Sequence, residues 1–357
     1  MRQAVLEDPD QVRRQESPLP ALPDRLLAAA QEIIAHAAFD RLRNVTFLGA
    51  LSPRFRLKLD PPPILLKRFS SSVFLNADGT RADHSIAVSE YAFLMAEQFN
   101  LSVEAQRYAV AWGLFHDIAT WGLSHTGEAA FADVTGVSSR TLRAMMIHGD
   151  PILPECFNLK KLLKCIGISG ETLLSLFSKK PSKIAPGSNS EPKDFGLLWL
   201  ATHSPLNPDT LEGICRCGLS FNVNVPPPNA VMRAFTNTLL GPVIGSEYSE
   251  YGLSFWRCKS NIYRTIINNS SVVQWESNKS RDLRLKYASI SLGESLELPE
   301  DALVHCISQN NSDNFDAVFR YKVPRKYWLG RTFARKKKLG GDLQVDDLYS
   351  VFRSEPF

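Results

Sequence analysis

The sequence predicts a mostly α-helical protein with a small mixed extension of helix and strand at its C-terminal end. Two observations favour this class. Apolar residues recur with helical spacing through most of the first 290 positions, and strand-like runs are confined to a few short stretches. The composition, with 44% apolar and 22% charged residues among 357, is typical of a globular chain. Neither wholesale disorder nor a fibrous fold is therefore expected.

The N-terminal residues 1–22 are polar and, together with Pro23, contain four prolines, so we expect a flexible arm there. This arm lacks the apolar core of a signal peptide, and no window approaches the roughly 20 apolar residues of a membrane helix. We therefore expect a cytoplasmic protein with no membrane partner. The six cysteines contain no C-x-x-C pair, which favours free thiols over a disulfide framework or a zinc ribbon.

Residues 23–290 are expected to form one helical domain, whose first helix begins at Asp24 after Pro23. Helical character continues over 39–51, and further helices are predicted over 85–99, 103–116, 139–149, 156–166, 170–178, 193–202, 207–217, 228–240 and 250–268. The stretch 52–83 is rich in proline and serine and is expected to form an irregular insertion or a short hairpin of 55–59 with 72–75. Residues 291–357 should form the mixed extension, with strands over 303–307 and 317–323.

The charge balance gives little support to a nucleic-acid partner. The net charge is only +4, from 41 basic and 37 acidic side chains. A basic run over 331–338 is more typical of a solvated surface than of a binding site.

Several histidines and acidic residues are grouped in motifs. The pair His116-Asp117 follows an apolar helix, and other groups precede and follow it in the chain. These groups are Arg81 with His84, His125 with Glu128, and Asp209 with Glu212 and Arg216. Adjacent residues of a regular helix point about 100° apart, so the pair can share one ion only near a helix end. His125 and Glu128 are three residues apart and share a helix face.

The order and spacing of these groups resemble the HD-domain metal-dependent phosphohydrolases, most closely their deoxynucleoside triphosphate triphosphohydrolase branch. The resemblance runs from Arg41-Leu-Arg43 with Leu48-Gly49 to the group at Arg216 and covers roughly residues 38–270. It implies an HD-domain helical bundle. The implied activity is metal-dependent hydrolysis of a nucleotide or related phosphoester by metal-activated water, and a homo-oligomer would be compatible with it.

The resemblance also implies a role for each motif residue. The metal ligands would be His84, His116, Asp117 and Asp209. Two imidazoles and two carboxylates suit Mn, Fe, Ni or Zn better than Ca, and Mg is a candidate second ion.

Catalytic and substrate-binding roles follow from the same resemblance. His125 would protonate the leaving oxygen, and Glu128 would orient it or the water. His148 falls near the place of another pocket histidine of the family, and Arg81 would bind a phosphate through its fork of donors.

Five positions depart from the family pattern. At the sugar pocket, Phe47, Gly213 and Cys217 replace polar groups, while Thr120 replaces a histidine and Thr210 a lysine that binds phosphate. The metal ligands are kept and the substrate pocket is changed, so the substrate class stays open. Alternatives are a phosphodiesterase for cyclic nucleotides or oligonucleotides, and a non-catalytic HD module that binds nucleotides or regulates a partner.

Overall fold

The structure, a computed structural model, describes residues 22–55, 58–68, 79–178, 192–204, 206–233, 235–238, 241–244 and 249–308. Its α-helices are α1 (Asp24–Ala35), α2 (Ala37–Asp40), α3 (Pro63–Arg68), α4 (Arg81–Gln98), α5 (Val103–Phe115), α6 (Ser124–Thr135), α7 (Ser139–His148), α8 (Lys160–Cys165), α9 (Gly170–Leu176), α10 (Pro192–His203), α11 (Pro208–Ser220), α12 (Pro228–Arg233), α13 (Ser249–Ile262), α14 (Ser270–Tyr287), α15 (Leu292–Glu297) and α16 (Glu300–Ser308). Two strands, β1 (Phe235–Thr238) and β2 (Gly241–Ile244), form an antiparallel pair. The predicted mostly α-helical class is confirmed.

Short 3-10 helices connect several of these elements, at Arg41–Asn44, Gly49–Leu51, Pro53–Phe55 and Glu155–Phe157, and a π-helical stretch Tyr263–Ile267 follows α13. Among the described residues, no helix is both long enough and apolar enough to cross a membrane.

The C-terminal part is where the secondary-structure prediction fails most clearly. The predicted strand over 303–307 is wrong, because this segment lies within α16. Leu303, Val304 and Ile307 are all buried, and their spacing fits one face of a helix as well as a strand. The helix begins after Pro299 with two acidic residues in its first turn, which favours a helix start. The predicted strand over 317–323 and the basic run 331–338 lie outside the described residues.

Three other predictions need correction or addition. The helix predicted over 228–240 ends at Arg233, and the chain then forms β1. In place of the first arm of a hairpin, Phe55 ends a 3-10 helix and the chain continues into α3, while 72–75 and the arm residues 1–21 lie outside the described residues. Helix α14 was not predicted, because its apolar positions are separated by long polar runs. The domain boundaries at 22 and 290 stay predictions.

The long helices α4 and α5 form the centre of the fold. They are joined by a four-residue connection and pack tightly, because a side chain at Gly113 of α5 would lie 2.3 Å from the Ser89 backbone of α4. A short connection makes the helices antiparallel, so the start of α4 lies beside the end of α5. Helix α11 packs against α4 as well. This arrangement gathers the first turns of α4 and α11 around the end of α5.

Candidate metal centre

Four of the motif side chains meet where these three helices come together. The Nε2 atoms of His84 and His116 lie 3.1 Å apart. Asp117 places Oδ2 at 3.7 Å from the first nitrogen and 3.5 Å from the second. Asp209 places Oδ1 at 3.2 Å and 3.8 Å from the same two atoms. Both predicted carboxylate ligands therefore lie within 3.8 Å of both histidine nitrogens.

These distances match the spacing of ligands around a single ion. With metal–ligand bonds of about 2.1 Å, neighbouring ligand atoms lie about 3.0 Å apart in octahedral and about 3.4 Å apart in tetrahedral geometry. His84, His116 and Asp117 form a group whose ligand atoms all lie within 4.8 Å of one another. The donor set, two imidazole nitrogens with carboxylate oxygens, fits a divalent transition metal.

Local sequence explains why each ligand stands where it does. Thr80 and Asp83 form a capping box that starts α4, so His84 lies at the end of the first turn. Asn207 caps α11, and Pro208 occupies its first position, so Asp209 lies in the first turn there. Helix α5 ends at Phe115, so His116 and Asp117 lie in the turn that follows it. This is the helix end that two adjacent residues need in order to face one ion.

His84 is oriented by a buried carboxylate. Its Nδ1 donates a hydrogen bond to Glu212, which in turn accepts two hydrogen bonds from Arg216. With its proton on Nδ1, the ring turns the Nε2 lone pair towards the other ligands. Burial opposes a charge on this ring, but the surrounding carboxylates outweigh burial and raise the pKa of His84 to about 9. At neutral pH a metal ion would therefore bind Nε2 by displacing its proton.

His116 is oriented by the backbone instead. Its Nδ1 lies 2.6 Å from the carbonyl oxygen of Gly113, which can only accept, so this nitrogen carries the proton and Nε2 is left for a metal. The indole of Trp112 stacks on the ring with 5.7 Å between centroids. Burial lowers the pKa of His116, so the imidazole favours its neutral, ligating form.

The two aspartates stay ionised despite their surroundings. Burial opposes the charge of Asp117, but His116 and Arg81 hold its pKa well below the usual range. Arg81 donates from Nη1 to Asp117 Oδ2 at 2.6 Å. Asp209 is half-exposed, and its contacts with the two histidines hold its pKa low as well. The predicted phosphate-binding Arg81 thus lies in the site, with part of its guanidinium committed to a ligand.

Two half-buried arginines contact the turn that carries His116, and neither was predicted as a site residue. Arg41 donates to the carbonyl oxygens of Ile118 and Thr120 at 2.7 and 2.8 Å, and Arg143 of α7 donates to that of His116. They satisfy the open carbonyls after the end of α5. Their positive charges also suit the negative end of a helix. Arg41 belongs to the first family motif, whereas no sequence signal marked Arg143.

His125 and Glu128 form a pair at the edge of the site. His125 Nδ1 lies 3.4 Å from a Glu128 carboxylate oxygen, and His125 Nε2 lies 3.4 Å from Arg81 Nη2. The imidazole is 62% exposed, so a substrate can reach it. Ser139 donates to the other Glu128 oxygen, and these contacts lower the pKa of Glu128 against the effect of burial. The contact between His125 and Glu128 is thus the one that their three-residue spacing predicted.

His148 is not brought to the centre. It lies exposed at the last residue of α7, and among the described residues no hydrogen bond or ion pair joins it to the ligands. Arg143 faces the centre from the same helix, and five residues further on a side chain points about 140° away. Arg143, and not His148, is thus the side chain of this helix that contacts the turn of His116.

Phe47, one of the departures from the family pattern, lies beside charged and titratable side chains of the site. Its ring lies 4.6 Å from the His84 ring, and the Arg81 and Arg216 guanidinium carbons lie over it at 4.6 and 5.6 Å. A side chain at Gly213 would start 3.4 Å from the Phe47 ring. Positions 47 and 213 are therefore neighbours, and the Phe47 ring lies directly beside the space that a side chain at position 213 would enter.

Lys259 of α13 supplies a further positive charge that the sequence did not reveal. Its Nζ lies 5.1 and 5.9 Å from the ring centroids of Trp256 and Tyr263. Burial lowers the pKa of Lys259 to about 8, although the charge of Asp209 opposes the change. Lys259 therefore interacts electrostatically with the proposed ligand Asp209. It supplies a lysine charge near the site, whereas position 210, where relatives carry a phosphate-binding lysine, is a threonine.

Comparisons with known proteins agree with the fold. No protein-family profile matches the chain, and no curated protein matches it in sequence. Among solved structures, it is similar to a phosphohydrolase from Bacteroides thetaiotaomicron, with 16% identity and a TM-score of 0.52 over 78% of this chain. The match spans 64% of the other chain, which is less than two thirds of its length. At this identity the likeness shows a shared fold, and it does not single out the triphosphohydrolase branch.

Proposed function

We propose that this chain is an HD-type metal-dependent phosphohydrolase that acts on a nucleotide or a related small phosphate. The observation that carries the proposal is that carboxylate oxygens of Asp117 and Asp209 lie within 3.8 Å of the Nε2 atoms of His84 and His116, while both histidines are hydrogen-bonded through Nδ1. A divalent ion held there would polarise a phosphoryl oxygen and lower the pKa of a water molecule. A fold shared with a phosphohydrolase supports this reaction class.

The other site residues have separate roles in this proposal. His125 protonates the leaving oxygen from Nε2, which lies beside Arg81, and Glu128 holds the imidazole through Nδ1. Arg81 binds a non-bridging phosphate oxygen with the part of its guanidinium that does not hold Asp117. Lys259 adds a second positive charge near Asp209.

The substrate pocket favours something other than a canonical deoxynucleoside triphosphate. In a site that reads a sugar hydroxyl, polar groups form hydrogen bonds to it, and such a site discriminates strongly. Here the Phe47 ring occupies that space beside Gly213. We therefore place phosphodiesters, including cyclic nucleotides and oligonucleotides, beside nucleotides as candidate substrates.

A non-catalytic HD module is the second candidate, favoured by one observation. Thr120 is buried and cannot act as an acid or base, and His148 lies away from the centre. His125 is then the one imidazole of the site that is not among the proposed ligands. In this second function, the centre would bind a metal and a nucleotide without turnover.

One experiment tests the proposal directly. The purified protein is assayed for bound metal and then for phosphate or nucleotide release from a broad panel of nucleotides and phosphodiesters with Mn²⁺. Asp117→Ala should lose both the metal and any turnover, because the change removes a ligand. Since Asp117 also pairs with the buried Arg81, Asp209→Asn is the second variant; its half-exposed side chain has fewer packing contacts to lose.

Asp24→Ala, in the exposed first turn of α1, is the matched control and should keep metal and activity. Full metal occupancy in both ligand variants would refute the centre. Bound metal without turnover of any substrate in wild-type protein would favour the non-catalytic module.

A further inference from the structure

Glu300, the first residue of α16, is a buried acid with an uncommon set of partners. Its Oε2 accepts from the Thr46 backbone N–H at 3.0 Å, and its Oε1 accepts from the Leu123 backbone N–H at 2.6 Å. Among the described residues, no Lys or Arg forms an ion pair with it within 4 Å. A buried carboxylate without a cation costs free energy, so its two backbone partners need an explanation.

One partner belongs to a strained turn. Leu123 and Ser124 both adopt left-handed backbone conformations, with φ of 60° and 48°. Each such residue costs about 1–3 kcal/mol and persists only where its surroundings enforce it. The Leu123 side chain is fully buried, and its carbonyl lies against Gly49, where a side chain would meet it at 2.1 Å. The turn is therefore fixed from two sides, by Gly49 and by Glu300.

A chain of hydrogen bonds runs from this turn to a metal ligand. Ser124 Oγ donates to the Thr46 carbonyl oxygen at 2.5 Å and accepts from Arg81 Nε at 2.9 Å. Arg81 Nη1 then donates to Asp117 Oδ2 at 2.6 Å. Glu300 thus holds both segments, at 46 and at 123, between which the Ser124 hydroxyl is placed.

The turn at residues 123–124 also directly precedes His125, the proposed general acid. His125 follows Ser124 in the first turn of α6, so the backbone at 123–124 decides where the imidazole begins. None of the four proposed metal ligands lies on this turn, because they come from α4, α11 and the turn after α5. A disturbance at 123–124 should therefore reach Arg81 and His125 and leave the metal largely in place.

We propose that Glu300 is a positioning residue of the candidate active site, which fixes the 123–124 turn and, through Ser124, the guanidinium of Arg81 beside Asp117. The proposal rests on the proposed function for its effect on turnover. It makes the segment at α16 a working part of the site, although the sequence places it in a separate extension. A carboxylate suits the task because both of its oxygens accept, whereas an amide offers one acceptor and one donor group.

The test compares Glu300→Gln with Glu297→Gln, an exposed glutamate three residues earlier. Glu300→Gln should lower kcat by about 10- to 100-fold, the scale of a misplaced catalytic group, and should raise metal Kd by a smaller factor, because Arg81 is shifted and not removed. Ser124→Ala should lower kcat similarly, and the double variant should be no worse than either, because both changes break one chain. Glu297→Gln should behave as wild type.

A second measurement does not depend on turnover. The Arg81 Nε–H, protected by Ser124, should exchange with solvent at least about tenfold faster in Glu300→Gln, as observed by NMR. Unchanged exchange, additive effects in the double variant, or parallel loss of metal and kcat would each overturn the positioning role. If wild-type protein hydrolyses nothing in the panel, the proposed function fails, and the exchange rates still decide the proposal. If Glu300→Gln does not fold, Ser124→Ala alone must show faster exchange and lower kcat with metal retained.

Discussion

Changing Glu212 to glutamine should remove the metal although no ligand is touched. Glu212 accepts from His84 Nδ1 with one oxygen and from Arg216 twice with the other. Arg216 is permanently charged and only donates, so it will keep the amide oxygen of a glutamine. The amide NH₂ then faces His84 Nδ1, which must accept. The histidine proton moves to Nε2, the atom that points at the other ligands.

The expected size follows from this change of tautomer. Loss of an outer hydrogen-bond partner typically weakens metal binding about 10- to 100-fold, which corresponds to about 1.4–2.7 kcal/mol. Here we expect the upper end or more, because Nε2 carries a proton in the new tautomer and the environment is buried, which strengthens each hydrogen bond. Arg216 also loses the charge of its partner, so some loss of stability should accompany the effect.

The assay is a metal titration in competition with a chromophoric chelator, with Mn²⁺ and Zn²⁺, on protein whose folding is checked by circular dichroism. Glu97→Gln is the control, because this glutamate lies exposed on the same helix as His84. A folded Glu212→Gln protein that binds metal within about threefold of wild type would refute the tautomer argument. Loss of binding in the control as well would point to a general charge effect.

Three further predictions concern the proton donor, the substrate and pH. His125→Ala should lower turnover by about 10² to 10⁴ while metal stays bound, with a smaller loss for p-nitrophenyl esters, whose leaving group needs no proton; equal losses on both substrate types would exclude the acid role. In the proposed function the Phe47 ring stands where related enzymes bind the sugar, so canonical dNTPs should be poor substrates or should not be distinguished from ribonucleotides, and strong dNTP-specific triphosphate release would contradict this proposal. Burial raises the pKa of Glu300 from 4.5 to about 7, so its contribution to stability is present below about pH 4.5 and is lost as pH rises through about 7, by up to about 3 kcal/mol. Urea unfolding at pH 5.5 and 8.5 should show wild type losing more than Glu300→Gln, and equal losses would remove Glu300 as the cause.

Local motifs made much of the site predictable. His125 and Glu128 share a turn, so their contact followed from spacing alone. Asn207 and Pro208 marked a helix start and so placed Asp209 near the beginning of α11. The meeting of the ligands was expected from the order of the motifs, and the structure brings these side chains together. Their roles as ligands stay proposals until metal is measured.

The prediction from apolar spacing failed at residues 303–307, where the same pattern fits both a strand and a helix. The run at 303–307 is short and β-branched in part, and its apolar positions suit a strand or a helix equally. Burial of Leu303 against the domain decides for the helix, since a side chain at Gly122 would meet Leu303 at 2.7 Å. That contact joins residues 181 positions apart, which no local pattern records.

The same reasoning explains which site residues escaped prediction. Arg143, Lys259 and Glu300 reach the centre or its supporting turn through packing between distant helices, and none of them lies in a motif. Each carries a charge that is costly to bury, and in each case the neighbours supply what offsets that cost: a carbonyl oxygen, two aromatic rings, two backbone N–H groups. The proposed ligands lie in local sequence motifs, whereas the charged residues around them come from distant parts of the chain. The surrounding charges can therefore differ without a change in the ligands. For this chain, the choice of substrate should depend on these surrounding charged residues. Substitutions of them should alter substrate preference more than they alter metal affinity.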